Sequence, residues 1–187
     1  WVIDRAAQKG MQLVLAPCYI GYFTSGLEGW NDVVMANGTN NCRTFGRYVG
    51  QRYKDKPNLI WLNYGDTSDP SYLPHVREIA RGILEYDTNH LHTAKMYPQE
   101  SARQFMSGES WFNLNTTYAY GDEWVWTRKV YDMSLQDYNA TPTMASFLIE
   151  SHYEGENTEE IPGGVPPWWV RRQAYWSVLS GSSGQIM

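Results

Sequence analysis

Two apolar stretches that each end in a carboxylate constrain the fold of this chain more than any other feature. Residues 59–64 read Leu-Ile-Trp-Leu-Asn-Tyr and lead to Gly65 and Asp66, and residues 144–149 read Met-Ala-Ser-Phe-Leu-Ile and lead to Glu150. A continuous hydrophobic run is typical of a buried parallel strand, because helices cover both faces of such a sheet. Acids at the carboxyl ends of parallel strands lie where α/β folds keep their chemistry. The pair predicts acid–base chemistry, with turn capping as the structural alternative for each acid.

Strand and helix signals alternate along the chain. Apolar runs predict strands at 11–16, 59–64, 91–95, 111–115 and 143–149. Helical periodicity predicts helices at 39–54, 76–84, 123–138 and 167–179, with a shorter one near 99–105. This alternation implies an α/β fold with a parallel sheet, either open and doubly wound or closed into a barrel. No glycine-rich phosphate loop follows a strand, and the two acids converge only if the sheet closes, so a barrel is favoured.

The number of strand–helix units predicts a (β/α)8 TIM barrel that is incomplete in this chain. These five strands and a sixth that starts at residues 185–187 correspond to about strands three to eight, with the first strands and the last helix missing. Trp1 lies within a helical pattern, and residues 185–187 resemble the start of a strand. We therefore expect residues 1–187 to form one partial catalytic domain of a larger protein. Its open sheet edges make stability in isolation doubtful.

Charge and composition argue against several classes of partner. The 187 residues carry a net charge of −5 without a basic run, which is unlike a nucleic-acid surface. No apolar stretch approaches the length of a membrane span. The two cysteines, Cys18 and Cys42, could form one bridge or remain free thiols, and the four histidines lack metal-ligand spacing. We expect no metal and no cofactor, and no feature indicates an oligomeric state.

Several motifs along the chain form a recognisable set. They are Arg-Tyr at 47–48, Gln-Arg-Tyr-Lys-Asp-Lys-Pro-Asn-Leu-Ile-Trp at 51–61, Gly-Asp at 65–66, Ile-Glu at 149–150, Tyr-Glu-Gly at 153–155, and Arg-Arg-Gln-Ala-Tyr-Trp-Ser-Val-Leu-Ser-Gly at 171–181. Together they resemble the apiosidase-like glycoside hydrolases, meaning glycoside hydrolase family 140 and its relatives. The resemblance covers nearly the whole chain. It departs at Lys-Met-Tyr-Pro (95–98) and at Tyr-Ala-Tyr-Gly (118–121), two elements expected to line the sugar pocket.

The resemblance implies a clan A TIM barrel, with an acid/base at the end of strand four and a nucleophile at the end of strand seven. If residues 11–17 form strand three, Asp66 and Glu150 occupy these two positions. The implied function is a glycoside hydrolase that cleaves glycosidic bonds in plant-type polysaccharide or oligosaccharide side chains, with retention of configuration. The alternative is a non-catalytic carbohydrate-binding protein on the same barrel, because a fold does not determine an activity. We expect a secreted protein in the periplasm or outside the cell.

Further residues are candidates for contacts with a carbohydrate. Tyr and Trp suit this role because they pair a flat apolar face with a hydrogen-bonding tip, although most of the 9 Trp and 14 Tyr are expected in the core. Glu154 is the rival of Glu150 as nucleophile, and its structural alternative is to orient His152 or an arginine. Asn63 precedes Asp66 on the same strand and is expected to share its face. The full set of candidate substrate contacts is Asn63, Asn115, Tyr118, Tyr120, His152, Glu154 and the possible stacking residues Trp30 and Tyr19.

Overall fold

The computed structural model of the chain describes residues 1–22, 28–120, 123–157 and 163–186, with only the backbone for 123–128. The chain divides into two compact units. The first comprises residues 1–94 and 108–113, and the second comprises residues 95–107 and 114–187.

The first unit has a three-stranded sheet with β2 in the middle. Its elements in chain order are α1 (Val2–Gln8), β1 (Leu13–Leu15), α2 (Asn31–Tyr53), β2 (Leu59–Tyr64), a 3-10 turn (Pro70–Tyr72), α3 (Leu73–Leu84) and β3 (Leu91–Lys95). Strands β1 and β2 are parallel, with Leu13 opposite Leu59 and Leu15 opposite Trp61. Leu59 and Trp61 are buried, as expected for a central strand between helical layers. The apolar run at 59–64 therefore forms the predicted buried strand.

Helices α2 and α3 approach each other through glycines. A Cβ atom added at Gly46 would lie 2.1 Å from the carbonyl oxygen of Ile79, and one at Gly82 would lie 2.3 Å from that of Arg43. Only a residue without a side chain allows backbones to come this close. The polar edge of the contact is an ion pair of 2.8 Å between Arg43 and Glu78. Since β2 and Asp66 lie between α2 and α3 in the chain, this contact fixes both ends of the segment that carries Asp66.

Helix α2 is longer than the sequence pattern indicated. Helical periodicity predicts a helix at 39–54, whereas the helix begins at Asn31. Gly38 has φ 71° and ψ 168°, so two helical segments meet at a kink there. A glycine with these angles interrupts the helical period, so the period of residues 39–54 does not extend to the segment before it.

The second unit has a pair of parallel strands. Its elements are α4 (Arg103–Met106), β4 (Asn115–Tyr118), α5 (Glu123–Asn139), β5 (Ser146–Glu150) and α6 (Pro167–Leu179). In the parallel pairing of β4 with β5, Asn115 lies opposite Ser146 and Tyr118 opposite Glu150, with a register shift between Thr117 and Tyr118. Leu148 also forms a parallel bridge to Gln185. The pairings of β1 with β2 and of β4 with β5 are thus both parallel, which confirms an α/β fold.

The prediction of a strand at 111–115 is wrong, because the strand is Asn115–Tyr118. Trp111 and Phe112 are apolar and buried but precede the strand. The strand itself reads Asn-Thr-Thr-Tyr and is buried throughout. Its polar groups find partners in the fold, since Thr117 donates a hydrogen bond of 2.7 Å to the buried carboxylate of Asp137. Apolar patterning cannot find a strand whose burial depends on such partners.

Two further expectations concern the cysteines and the membrane. Cys18 and Cys42 are free thiols. Burial raises the pKa of Cys18 to about 11 and also raises that of Cys42. Among the described residues, no helix has the length and apolar character that crossing a bilayer would require.

Candidate active site

The carboxylate of Asp66 follows the carboxyl end of β2 and contacts a tyrosine from the preceding connection. The hydroxyl of Tyr19 donates a hydrogen bond of 2.6 Å to Oδ2 of Asp66. Tyr19 lies beyond β1, and because β1 and β2 are parallel neighbours, both residues leave the sheet at the same edge. The backbone adds a bond of 3.3 Å from the amide of Ile20 to the carbonyl oxygen of Tyr64. Two segments thus meet around this carboxylate.

The backbone just before Asp66 is held in an unusual conformation. Tyr64 has φ 74°, a region that residues with a side chain rarely adopt and that is often found at functional sites. Its hydroxyl donates to the carbonyl oxygen of Asp69, and burial raises the pKa of this phenol. A Cβ atom added at the next residue, Gly65, would lie 2.9 Å from the amide nitrogens of Ile20 and Gly21. Only glycine fits at this position, so the path of the chain into Asp66 is tightly determined.

Asn63 is the penultimate residue of β2, and its side chain bonds to β3. It is buried, and its amide nitrogen donates a hydrogen bond of 3.1 Å to the carbonyl oxygen of Thr93. The same nitrogen lies 3.5 Å from Nδ1 of His92. The structure thus gives Asn63 the role of linking β2 to β3.

The two aromatic residues predicted to stack on sugar have different surroundings. The hydroxyl of Tyr19 is hydrogen-bonded to Asp66, as described above, so Tyr19 orients that carboxylate. Trp30 is 60% exposed, and its amide donates a hydrogen bond of 2.9 Å to the carbonyl oxygen of Tyr19. Its side chain borders a mainly apolar cavity of about 490 Å³ that Cys18, Val34 and Phe45 also line. Trp30 therefore presents an open aromatic face beside the segment that contacts Asp66.

In the second unit, Glu150 ends β5 with both carboxylate oxygens engaged. Oε2 forms an ion pair with the ammonium group of Lys95, and Oε1 accepts a hydrogen bond from the hydroxyl of Tyr153. The Glu150 side chain is only 15% exposed. The nitrogen of Lys95 also lies 4.5 Å from the centre of the Tyr118 ring, a cation–π contact. A carboxylate held by a cation and a phenol at a strand end has fixed geometry and a defined charge partner.

The rival acid Glu154 lies in an exposed turn, and no hydrogen bond or ion pair joins it to the part of the chain that the structure describes. The role predicted for it, orienting His152, belongs to Glu156. Oε2 of Glu156 lies 3.1 Å from Nδ1 of His152, and its Oε1 accepts a hydrogen bond from the hydroxyl of Tyr120. Sequence reasoning missed Glu156, although an acid four residues after a histidine was a signal that could have found it.

Asn115 has a structural position that argues against the predicted contact with substrate. It is fully buried, and its side chain donates a hydrogen bond of 3.0 Å to the hydroxyl of Ser101 and accepts one of 2.8 Å from the amide of Arg103. It lies at the amino end of β4, opposite Ser146, whereas Glu150 lies at the carboxyl end of β5. Catalytic groups of α/β folds gather at the carboxyl ends of strands.

Three of the other predicted contacts do gather around Glu150 and its loop. Tyr118 lies opposite Glu150 in the strand pairing, and its ring centre is 6.4 Å from that of Tyr120. The Tyr120 ring is 4.9 Å from that of His152, which in turn makes an edge contact with Trp169 at 5.8 Å. These side chains form a continuous aromatic wall in the second unit.

The described side chains include no group of three or more His, Cys, Asp or Glu residues that could hold a metal ion. The chemistry that the two strand ends offer is that of carboxylates. Each carboxylate has a tyrosine hydroxyl as a donor, Tyr19 for Asp66 and Tyr153 for Glu150. Lys95 adds a positive charge at Glu150.

Solved structures of glycoside hydrolases share this fold. A glycoside hydrolase family 5 protein from Bacteroides vulgatus matches with a TM-score of 0.83 at 20% identity, over 98% of this chain and 41% of that protein. The β-glucanase of Saccharophagus degradans matches with a TM-score of 0.63 at 13% identity, over 97% and 60% of the two chains. Cel5A of Thermotoga maritima matches with a TM-score of 0.66 at 16% identity, over 98% of this chain and 67% of that protein. The chain thus spans less than half of the Bacteroides protein, and at these identities the likeness concerns the fold alone.

A comparison with functionally curated proteins found no match. A family model provides the assignment instead. The model described as "Apiosidase-like, catalytic domain" matches residues 1–186, which is nearly the entire chain. This chain therefore belongs to the family of apiosidase-like catalytic domains.

Proposed function

We propose that this chain is part of a glycosidase that cleaves glycosidic bonds in side chains of plant-type polysaccharides or oligosaccharides. The observation that carries the proposal is Glu150, held at the end of a parallel strand between Lys95 and Tyr153. Membership of the apiosidase-like family and the fold shared with glycoside hydrolases support it. Carbohydrate is accordingly the proposed partner.

In the proposed mechanism, Glu150 is the nucleophile and Asp66 the general acid/base. Asp66 donates a proton to the leaving oxygen while an oxygen of Glu150 bonds to the anomeric carbon and the glycosidic bond breaks. Asp66 then takes a proton from water, the water oxygen bonds to the anomeric carbon, and Glu150 leaves as a carboxylate. Two displacements retain the configuration of the sugar. The hydrogen bond from Tyr19 holds the Asp66 side chain in one orientation for both steps.

The proposed contact residues comprise the exposed residues Trp30 and Glu154 and the aromatic wall, in which Tyr118 and His152 are buried. Trp30 offers an open ring for stacking, and Tyr118, Tyr120 and His152 line the aromatic wall near Glu150. Glu154, in its exposed turn, remains a candidate for a hydroxyl contact. Asn63 and Asn115 are buried, and their hydrogen bonds hold neighbouring segments of the fold together.

We further propose that residues 1–187 form part of one TIM-barrel domain, with β1 as strand three and β5 as strand seven. The parallel strands and the fold shared with family 5 glycoside hydrolases support this numbering. Because the proposed substrates include polysaccharides, we also propose a periplasmic or extracellular location.

The deciding experiment uses Asp66→Asn and Glu150→Gln in the intact protein, assayed on a panel of plant polysaccharide oligosaccharides. Each variant should lose at least about a thousandfold in kcat/KM and retain binding of the oligosaccharide. Glu150→Ala should recover turnover with azide and yield a glycosyl azide of inverted configuration, because azide displaces the leaving group in one step. For the unmodified protein, NMR of the initial product should show the configuration of the substrate. Binding without any turnover by the unmodified protein would favour the carbohydrate-binding alternative, and an inverted product would exclude the two-step mechanism.

A further inference from the structure

Glu156 is the central acceptor of the loop that follows Glu150. Its Oε2 lies 3.1 Å from Nδ1 of His152 and accepts a hydrogen bond of 3.2 Å from the amide of Tyr153. Its Oε1 accepts a hydrogen bond from the hydroxyl of Tyr120. The Glu156 side chain is largely buried, at 17% exposure. One carboxylate therefore gathers three groups from two segments of the second unit.

The backbone around Glu156 is also anchored. The amide of Gly155 donates a hydrogen bond of 2.9 Å to the carbonyl oxygen of Val165, and the amide of Val165 donates one of 2.9 Å to that of Glu156. Val165 is buried against Trp169 and Val170. Gly155 has φ 75°, which lets the turn close. Glu156 thus offers its carboxylate from a backbone position that the core determines.

Tyr153 connects Glu156 with Glu150. Its backbone amide donates a hydrogen bond to the carboxylate of Glu156, and its hydroxyl donates one to Oε1 of Glu150. Tyr153 itself is 44% exposed, and its ring centre lies 6.5 Å from that of Tyr120, whose hydroxyl also donates to Glu156. The orientation of its hydroxyl therefore depends on how firmly the loop backbone is held.

We propose that Glu156 is a positioning residue that holds the Tyr153 hydroxyl on the carboxylate of Glu150. The inference rests on the proposed role of Glu150 as nucleophile. A hydrogen bond to Glu150 stabilises the free carboxylate more than the glycosyl ester, because the ester oxygen carries little charge. The bond consequently favours the second displacement, in which water attacks the anomeric carbon, the ester bond breaks and Glu150 regains its charge.

This role has a kinetic signature. When Glu156 no longer holds the loop, the second displacement slows while the first does not, so the glycosyl ester accumulates. For a substrate with a good leaving group, kcat and KM should then fall together, with little change in kcat/KM. A purely structural role would instead lower the amount of folded protein and leave KM unchanged.

The experiment compares Glu156→Gln and Tyr153→Phe with the unmodified protein, using the dinitrophenyl glycoside of the sugar that the unmodified protein releases. We expect kcat and KM each to fall about tenfold in both variants, which is the scale of one hydrogen bond to a charged group. A burst of dinitrophenol in the first turnover should accompany the fall. Asp55→Asn, a charge loss in an exposed position of the other unit, is the control and should match the unmodified protein.

The outcomes separate this inference from the proposed function. Unchanged kcat and KM in Glu156→Gln, beside an inactive Glu150→Gln, would overturn the role of Glu156 alone. An active Glu150→Gln would overturn the proposed function. If Glu156→Gln does not fold, Tyr153→Phe decides, and the absence of a burst in that variant would overturn the inference.

Discussion

Tyr19 donates a hydrogen bond of 2.6 Å to Oδ2 of Asp66 across 47 positions of the chain. The contact exists because the segments that leave two parallel neighbouring strands meet at one edge of the sheet. Gly65 makes it possible, since a side chain there would collide with the backbone of Ile20 and Gly21. The proposed acid is thus oriented by a residue that precedes the whole of helix α2.

Replacing Tyr19 with Phe should lower kcat/KM about tenfold, because Asp66 loses a hydrogen bond that orients it and the ring itself remains. Steady-state kinetics on the preferred oligosaccharide would measure the loss. Tyr48→Phe, in an exposed position of α2, is the matched control and should be neutral. Equal activity in both variants would contradict an orienting role for Tyr19.

Replacing Lys95 with Met should lower kcat by about a hundredfold or more, because a mostly buried Glu150, which regains its charge in the second displacement, then lacks its charge partner. Lys95→Arg keeps the charge and should retain part of the activity. The same assay applies, with Lys9→Met on the exposed end of α1 as the control. A fully active Lys95→Met would show that the ion pair does not support the nucleophile.

Gly46→Ala should lower the free energy of unfolding of the protein by at least about 2–3 kcal/mol, since its Cβ would fall 2.1 Å from a backbone oxygen of α3. Chemical denaturation would measure the change. A Cβ atom added at Gly108 meets nothing within 4 Å, so Gly108→Ala should stay within about 0.5 kcal/mol. Similar midpoints for the two variants would mean that α2 and α3 are not in close contact.

The stability of the protein should fall as the pH drops from about 6.5 to about 4 because of His92. Burial lowers the pKa of this histidine from 6.5 to about 4. In this pH range the unfolded chain binds a proton that the folded chain does not, so the free energy of unfolding decreases with falling pH. The stability that the neutral His92 contributes is fully present above pH 6.5. Its loss lowers the free energy of unfolding by about 3 kcal/mol at most.

Denaturation at several pH values would measure this dependence, and His92→Phe should flatten it. His75→Gln is the control, because His75 is not buried to the same extent. An unchanged slope in His92→Phe would assign the dependence to other groups.

The elements that carry the proposed catalytic carboxylates were predictable from local pattern. Apolar residues at 59–64 and 146–149 form buried strands, and Asp66 and Glu150 follow or end them as expected. The polar strand Asn115–Tyr118 was not predictable, because its burial depends on Asp137 and Ser101, which are distant in the sequence. The site followed the same division, since the spacing of Glu156 from His152 was a weak signal and its hydrogen bonds to Tyr120 and Tyr153 appear only in the structure.

The sequence by itself determined the alternation of strands and helices, the family and the two acids that follow or end strands. These features depend on apolar periodicity and short motifs, which involve only residues close together in the chain. Tertiary structure alone decided which groups serve those acids. Tyr19 reaches Asp66, Lys95 reaches Glu150 and Glu156 holds the loop of Tyr153 through pairings that no local pattern encodes. The physical reason is that strand register and loop closure, rather than spacing along the chain, bring these side chains within hydrogen-bonding distance.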